Sequence, residues 1–347
     1  MSSQRNQKIQ ADTRQPVPQI TPLISHTEEM MRAVNQVILE KMGSDVPLIP
    51  ELAGHLIAAG GKRIRPMLVL AGFMAAREMQ AEQAGSSDNS ALYLAAAVEF
   101  IHNATLLHDD VIDQSEQRRG RDTANALWGN EASVLVGDFL FARAFELMVQ
   151  TGDITVLDLL SSASARITEG EVLQMTLQGQ PESPIADYLR VIEGKTAILF
   201  AAAAEAGARV GGGDMALRRA MHSYGMQLGM AFQMMDDALD YDMSLADTGK
   251  NQGDDFAEGK ITLPVLLAYE KGDAAERAFW SRALQNPEEG DFETALGLCA
   301  KYQVVADTRA QADKAVGLAI AALDMLPDGV LKDALADAAA FSANRDH

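Results

Sequence analysis

Apolar residues recur at the three-and-four spacing of a helix face through most of this chain. Met30, Met31, Val34, Val37 and Ile38 predict an amphipathic helix from Leu23 to about Lys41. SDVPLIPEL then reads as a turn and helix entry, with Pro47 and Pro50 close to helix starts. Pro66 suits the first turn of a helix that continues through Met67, Leu70 and Phe73. After a polar loop at 79–90, helices are predicted over 91–113, 124–149 with a break at Gly129–Asn130, 154–177, 185–209 and 215–242. A further helix starts near Pro264, and 275–347 reads as Ala/Leu-rich helices ending in a polar tail. Residues 1–22 are polar and carry Pro16, Pro18 and Pro22, so they are read as a disordered arm ahead of one all-α domain over 23–347.

Composition supports that reading and narrows the function. Hydrophobic residues make up 48% of the 347, aromatics only 5%, and alanine and methionine are plentiful, which favours closely packed helices over sheets. The formal net charge of −20 argues against nucleic acid or an anionic membrane surface as partner. An anionic substrate must therefore be attracted locally, by Lys/Arg groups and bound cations. Cys299 is the only cysteine, so no intrachain disulfide forms and a reducing cytoplasm is the expected setting. No window of about eighteen residues is free of charge, so no membrane span is expected.

The chemistry concentrates in two acidic clusters. In LLHDDVID, Asp109, Asp110 and Asp113 fall within roughly a 100° arc of one helix face, and His102 returns to that face two turns earlier. The spacing repeats in FQMMDDALDY at Asp236, Asp237 and Asp240, again among apolar neighbours, with Gln233 about one turn ahead. A single D-D-x-x-D is a common solvated face; the recurrence points to metal. Like charges on a half-apolar helix need a compensating cation, and Mg²⁺ takes one or two carboxylates and fills its other positions with water and phosphate oxygens. Two such clusters across a helical cavity would hold a diphosphate between them.

The cations supply the rest of an anion site. GGKRIRP places Lys62, Arg63 and Arg65 after two glycines at a helix entrance, a sensible diphosphate cradle. Arg118, Arg119 and Arg121 follow the first cluster, where they either favour the helix dipole or reach a phosphate. Lys195 lies in an apolar run beside Thr196 and must snorkel or find an anion. Lys250 and Lys260 flank Asp254 and Asp255 in a glycine-punctuated loop suited to closing over a bound group. Glu169 and Glu171 fit either groups that support the site from behind or a solvated face, the latter slightly favoured, and GGGD at 211–214 is a plain loop, since no strand pattern precedes it.

With GGKRIRP, LLHDDVIDQSEQRRG, GKTA, AFQMMDDALDY and KNQGDDFAEGKITLP on the page, the chain resembles the trans-type (E-) polyprenyl diphosphate synthase family over about residues 30–345. It is most similar there to the bacterial octaprenyl and decaprenyl diphosphate synthases that make quinone side chains. The resemblance implies an isoprenoid-synthase-type helical bundle around a central cavity, usually a homodimer, with two or three Mg²⁺ ions per active site. It implies that Asp109, Asp113 and Asp236 are metal ligands and Asp110, Asp237 and Asp240 their supporting set. Lys62, Arg65, His102 and Arg119 match the positions that hold isopentenyl diphosphate. Arg118, Lys195, Lys250 and Lys260 match those that hold an allylic diphosphate such as farnesyl diphosphate. Thr196 and Gln233 resemble the groups whose oxygens lie near the developing carbocation.

Product length is expected to be set one turn or more below the first cluster. Short-chain relatives carry bulky aromatics four and five positions before the first aspartate; here these are Ala104 and Thr105, which leave a tunnel open. Phe145, Met148 and Leu160 are candidates for a deeper floor, and octaprenyl to decaprenyl products are expected. Terpene cyclases do not need an isopentenyl cradle, and a catalytically silent subunit can afford to lose acidic residues; GGKRIRP with His102 and two whole clusters argue against both.

Overall fold

In the computed structural model, residues 20–58, 61–80, 89–118, 120–243 and 252–343 are described. Arg119, Lys250 and nearly all of the N-terminal arm lie outside them. The chain begins with α1 (Thr21–Lys41), α2 (Leu48–Ala58), α3 (Ile64–Met79) and α4 (Ser90–Ile112). A two-stranded hairpin, β1 (Gln117–Arg118) with β2 (Arg121–Asp122), leads to α5 (Ala124–Trp128), α6 (Asn130–Gln150), α7 (Ile154–Leu177) and α8 (Ile185–Ile192). A π-helical turn at Glu193–Ala197 joins α8 to α9 (Ile198–Val210), followed by α10 (Met215–Asp240) and the short α11 (Asp254–Ala257). Five helices complete the chain: α12 (Leu263–Lys271), α13 (Ala274–Ala283), α14 (Asp291–Tyr302), α15 (Val304–Ala322) and α16 (Val330–Ala343).

Local signals account for most boundaries. Pro22 sits in the first turn of α1, so that helix starts two residues before the edge of the expected arm. Asp153 and Asp214 cap α7 and α10 by accepting N–H bonds from Thr155 and Leu217, and Asp273 and Glu276 form a capping box on α13. The helix expected over 185–209 is real but interrupted by the π turn, and the 117–122 hairpin was not expected at all. Two residues per strand carry no periodicity, and only Gly120, at φ +71°, hints at a turn.

α4 packs on α6, α3, α1 and α9, while α10 packs on α9, α15, α16 and the π turn. α9 thus lies between the two acidic helices and fixes their spacing. Its run of small residues is what allows this. A Cβ on Gly207 would stand 1.9 Å from the Val69 carbonyl oxygen, and one on Gly72 would stand 2.2 Å from that of Ala204, so α3 and α9 cross backbone to backbone. On the opposite side α10 approaches α9 at Gly225, where a Cβ would meet the Phe200 carbonyl oxygen at 2.4 Å.

α4 is, by length and composition, apolar enough to cross a membrane, with a mean hydropathy of 1.3 in its best window. Yet 72% of that window is buried inside the bundle, so it is the core helix of this fold, its apolar surface already covered by helices. It is the one such helix among the described residues.

The crossing of α3 and α9 yields a stability test. Gly207→Ala should destabilise by about 1–3 kcal/mol or more, because backbone, not a flexible side chain, occupies the space. Gly317→Ala in α15, where nothing lies within 4 Å, should be neutral or raise stability by about 0.5–1 kcal/mol through helix propensity. Thermal melting of both variants checks the contrast, and equal melting temperatures would contradict the packing described.

Candidate active site

The C-terminal halves of α4 and α10 carry the two clusters, and Lys260 links them, lying beside Asp113 of the first and lining a cavity with Asp237 of the second. On α4, His102, Thr105, Leu106, Asp109 and Asp113 form a half-buried stripe, while Ala104, Leu107 and Asp110 turn into the bundle. Asp109 and Thr105 are about 40° apart around the helix, whereas Ala104 is about 140° from Asp109. On α10, Gln233, Asp236 and Asp240 are half-buried and Asp237 is buried. The six carboxylates therefore differ in what each is free to do.

Asp110 is 1% exposed and is gripped by Arg118, whose Nε donates to Oδ1 at 2.9 Å and whose second nitrogen lies 2.8 Å from the same atom. Arg118, expected on the allylic diphosphate, is here held by that buried aspartate. Asp237 is likewise enclosed: Tyr188 Oη donates to Oδ2 at 2.6 Å and Gln233 Nε2 to Oδ1 at 2.9 Å, while Gln233 Oε1 accepts the Thr196 hydroxyl at 2.8 Å. Asp240 accepts the Gly253 N–H at 2.8 Å, and its Oδ2 is buried with no hydrogen bond.

Burial and mutual repulsion show in the proton affinities. Burial first, then Glu171 and Asp113, push Asp109 up to about 7 against the pull of Lys195 and Arg118. Burial and then Asp255 raise Asp237 to about 8 and Asp240 to about 7, with hydrogen bonds from Tyr188 and Gln233 opposing the first and Gly253 the second. The Tyr188 phenol is held well above its ordinary value by burial and by Asp237, so it remains a donor.

The lysines are in place. Lys260 Nζ lies 3.3 Å from Asp113 Oδ2 and 3.8 Å from Asp255 Oδ1, and also pairs with Glu258, so it ties the first cluster to the segment after the second. Burial alone would lower its affinity for the proton, but Asp255, Asp113 and Glu258 together keep it above the ordinary lysine value. Lys195 finds its anion in Glu171, 2.8 Å away. Glu171 is thus not a solvated face: its side chain is 16% exposed and Oε1 is buried without a hydrogen bond. The crossing that brings them together is tight, since a Cβ on Gly170 would stand 2.6 Å from the Lys195 nitrogen. The π turn widens the helix at this point, a distortion frequent at functional sites.

The residues expected to hold isopentenyl diphosphate lie at the start of α3 and on α4. Arg65 donates to His102 Nε2 at 3.1 Å, with its guanidinium 4.4 Å from the Phe200 ring centroid. Lys62 is exposed and stands 4.2 Å over the ring of Phe341 on α16. Arg63, the N-cap of α3 at φ +48°, turns instead to Asn35 and Glu99.

A cavity of about 110 Å³ is lined by Tyr188, Lys195, Thr196, Gln233, Asp237, Asp255 and Lys260. It is reached beside a cleft of about 650 Å³ whose wall includes Asp113, Gln174, Met175, Glu258 and Lys260. Asp255, Glu171, Glu258 and Tyr188 join the site through tertiary packing and were not singled out as site residues from sequence. Among the described residues no three His, Cys, Asp or Glu side chains are gathered closely enough to hold a metal by themselves. The donor set still fits magnesium: hard carboxylate oxygens, two of them buried and unbonded at Asp240 and Glu171, with room for substrate oxygens.

Of the residues expected to bear on product length, Ala104 is fully buried, with its carbonyl oxygen against Gly137 of α6, and Thr105 is half-buried. Phe145 is 41% exposed on the outside of α6 and cannot be a floor, whereas Met148 and Leu160 are buried.

Residues 46–298 match the polyprenyl synthetase family. The chain is 42% identical over 318 residues to the octaprenyl diphosphate synthase of Haemophilus influenzae, covering 91% of this chain and 94% of that protein. Its structure resembles a decaprenyl diphosphate synthase from Rhodobacter capsulatus, with a TM-score of 0.89 and 48% identity over 95% of this chain and 100% of the other. It is equally close in shape to a polyprenyl synthase from Caulobacter crescentus solved with calcium and isoprenyl diphosphate, with a TM-score of 0.89 and 46% identity over 96% and 100% of the two chains. With Lys260 linking its two acidic clusters and Arg65 set against His102 on the first acidic helix, this chain belongs to the polyprenyl synthetase family of prenyltransferases.

Proposed function

We propose that this protein is a long-chain trans-polyprenyl diphosphate synthase that adds isopentenyl diphosphate units head-to-tail to an allylic diphosphate such as farnesyl diphosphate. Octaprenyl to decaprenyl products, of the kind used as quinone side chains, are the proposed range, and the cytoplasm the proposed site of action. The observation that carries this reading is Lys260, which pairs with Asp113 of the first cluster while lining one cavity with Lys195 and with Asp237 of the second.

Asp109, Asp113 and Asp236, with Asp240 beside them, would hold two or three Mg²⁺ ions. When bound, these ions would offset the negative charge that grows on the departing diphosphate. Lys195 and Lys260, with Lys250 and Arg118, hold the allylic diphosphate; Lys62, Arg65, His102 and Arg119 hold isopentenyl diphosphate alongside it. Thr196 and Gln233 turn oxygen atoms toward the carbon that becomes cationic. The isopentenyl double bond attacks that carbon, and the adduct then loses a proton. Positioning supplies much of the rate, and the apolar walls keep water from capturing the cation.

Kinetics with Mg²⁺, farnesyl diphosphate and isopentenyl diphosphate test this directly. Chelation should abolish turnover, and Asp109→Ala or Asp236→Ala should remove most activity with helical content intact. Lys62→Ala or Arg65→Ala should raise chiefly the isopentenyl KM and Lys195→Ala the allylic one, each by roughly ten- to a hundredfold for a lost charge-assisted contact of about 1.5–3 kcal/mol. Full activity in excess chelator, or equal effects on both substrates, would overturn the assignment.

Product length follows from the stripe on α4. Thr105→Phe should block passage beneath Asp109 and shift products to short chains while the first condensation continues. Ala104→Phe would instead drive a ring into the contact between α4 and α6, lowering stability. Sizing the products of both variants decides it: wild-type length from Thr105→Phe means that the chain grows elsewhere.

The proposed assembly is a homodimer through α6. Leu135, Phe145 and Val149 lie on one outer stripe at 66%, 41% and 62% exposure, interrupted only by polar Asp138 and small Ala142. Phe145→Glu should give monomers by light scattering without unfolding, because the ring is largely outside the core. A monomeric wild type, or a variant that stays dimeric, would refute this interface.

A further inference from the structure

The polar chain from Tyr188 to Thr196 crosses three elements. Tyr188 comes from α8, Gln233 and Asp237 from α10, and Thr196 from the π turn. Tyr188 is 2% exposed, and its hydroxyl has one acceptor, Asp237 Oδ2 at 2.6 Å. Asp237 Oδ1 takes Gln233 Nε2 at 2.9 Å, and Gln233 Oε1 takes the Thr196 hydroxyl at 2.8 Å.

The direction of this chain is set from the tyrosine end. With Tyr188 donating to Asp237 Oδ2, Oδ1 accepts from the Gln233 NH₂ and the amide carbonyl is turned to the Thr196 hydroxyl. Thr196 then spends its proton on Gln233, which leaves its oxygen lone pairs for the cavity. All four residues line the same 110 Å³ space. If Tyr188 were absent, one Asp237 oxygen would lose its donor, the carboxylate could rotate, and the amide of Gln233 would lose its fixed orientation.

We infer that Tyr188 is a positioning residue for the prenyl-transfer step, acting through Asp237 to orient the Gln233 and Thr196 oxygens toward the substrate carbon that becomes cationic. This rests on the function proposed above. It also separates Asp237 from its neighbours: the buried aspartate serves as the pivot of a hydrogen-bonded chain, while Asp236 and Asp240 are half-buried and left to other work. A ring that only filled space would need no hydroxyl, and a hydroxyl that only satisfied Asp237 would not be felt at Thr196.

Tyr188→Phe keeps the ring and removes the hydroxyl. The full-length protein and its Tyr188→Phe, Thr196→Val and doubly substituted forms are compared with Mg²⁺, farnesyl diphosphate and isopentenyl diphosphate, taking kcat per folded molecule. Tyr188→Phe should lower kcat about tenfold while the isopentenyl KM stays within about twofold, because the loss falls on the reacting carbon rather than on diphosphate binding. The double variant should be no slower than the slower single one, within about twofold, since both cut the same chain. An unchanged kcat per folded molecule in Tyr188→Phe overturns the inference, as does a double variant whose losses multiply. If Tyr188→Phe does not fold, Tyr188→Leu or Tyr188→Met, which also lack a donor, carries the same comparison with Thr196→Val, and multiplying losses again overturn it. A wild type that makes no polyprenyl diphosphate defeats the proposed function itself; a working wild type with an unimpaired Tyr188→Phe defeats only this inference.

Discussion

Repulsion among carboxylates held in a half-buried cavity is the constraint on which the site depends. Asp109, Asp113, Asp236, Asp237, Asp240, Asp255 and Glu171 are carried by four elements of a chain whose net charge is −20. Burial and neighbouring charge push several of them toward neutrality, up to about 7 at Asp109 and Asp240 and about 8 at Asp237. The fold answers with a small number of fixed countercharges and donors: Arg118 on Asp110, Lys260 on Asp113, Lys195 on Glu171 and Tyr188 on Asp237. What these partners leave at Asp109 and Asp240 is a demand for cations that divalent metal and substrate can meet together.

That arrangement needs two acidic helices at a set distance, and the distance comes from small residues. α9 carries ILFAAAAEAG between α3 and α10, so its neighbours approach to backbone contact at Gly207, Gly72 and Gly225. The same logic brings α7 to the π turn at Gly170, placing Glu171 within reach of Lys195. Bulk at these crossings would be felt at the cavity, because close-packed helices transmit a displacement rather than absorb it.

The site is also asymmetric in how it uses lysine. Lys195 is bound to a carboxylate from a different helix, and Lys260 bridges the first cluster to the segment that follows the second. Each is therefore held beside the cavity by groups that a diphosphate can replace as partner. Preorganisation of this kind lowers the cost of fixing long side chains when substrate binds.

Much of this was written in the chain. The helical class, nearly every long helix within a few residues, the two D-D-x-x-D clusters and the basic motifs are all local: each depends on spacing along one helix or on residues adjacent in sequence. Other features depend on which helices pack together, and no local pattern encodes that. Glu171 sits on a helix whose pattern fits a solvated face, and only the Gly170 crossing turns it toward Lys195. Ala104 and Thr105 are neighbours in sequence, yet one is fully buried and the other half-buried, and Phe145 lies outside the bundle. Asp255 and Tyr188 enter the site from elements distant in sequence, by contacts of side chains whose partners are decided only when α8, α10 and the 252–262 segment close on one another. Local periodicity determines which face of a helix is apolar; tertiary packing decides which polar groups on it are left without water and must find one another.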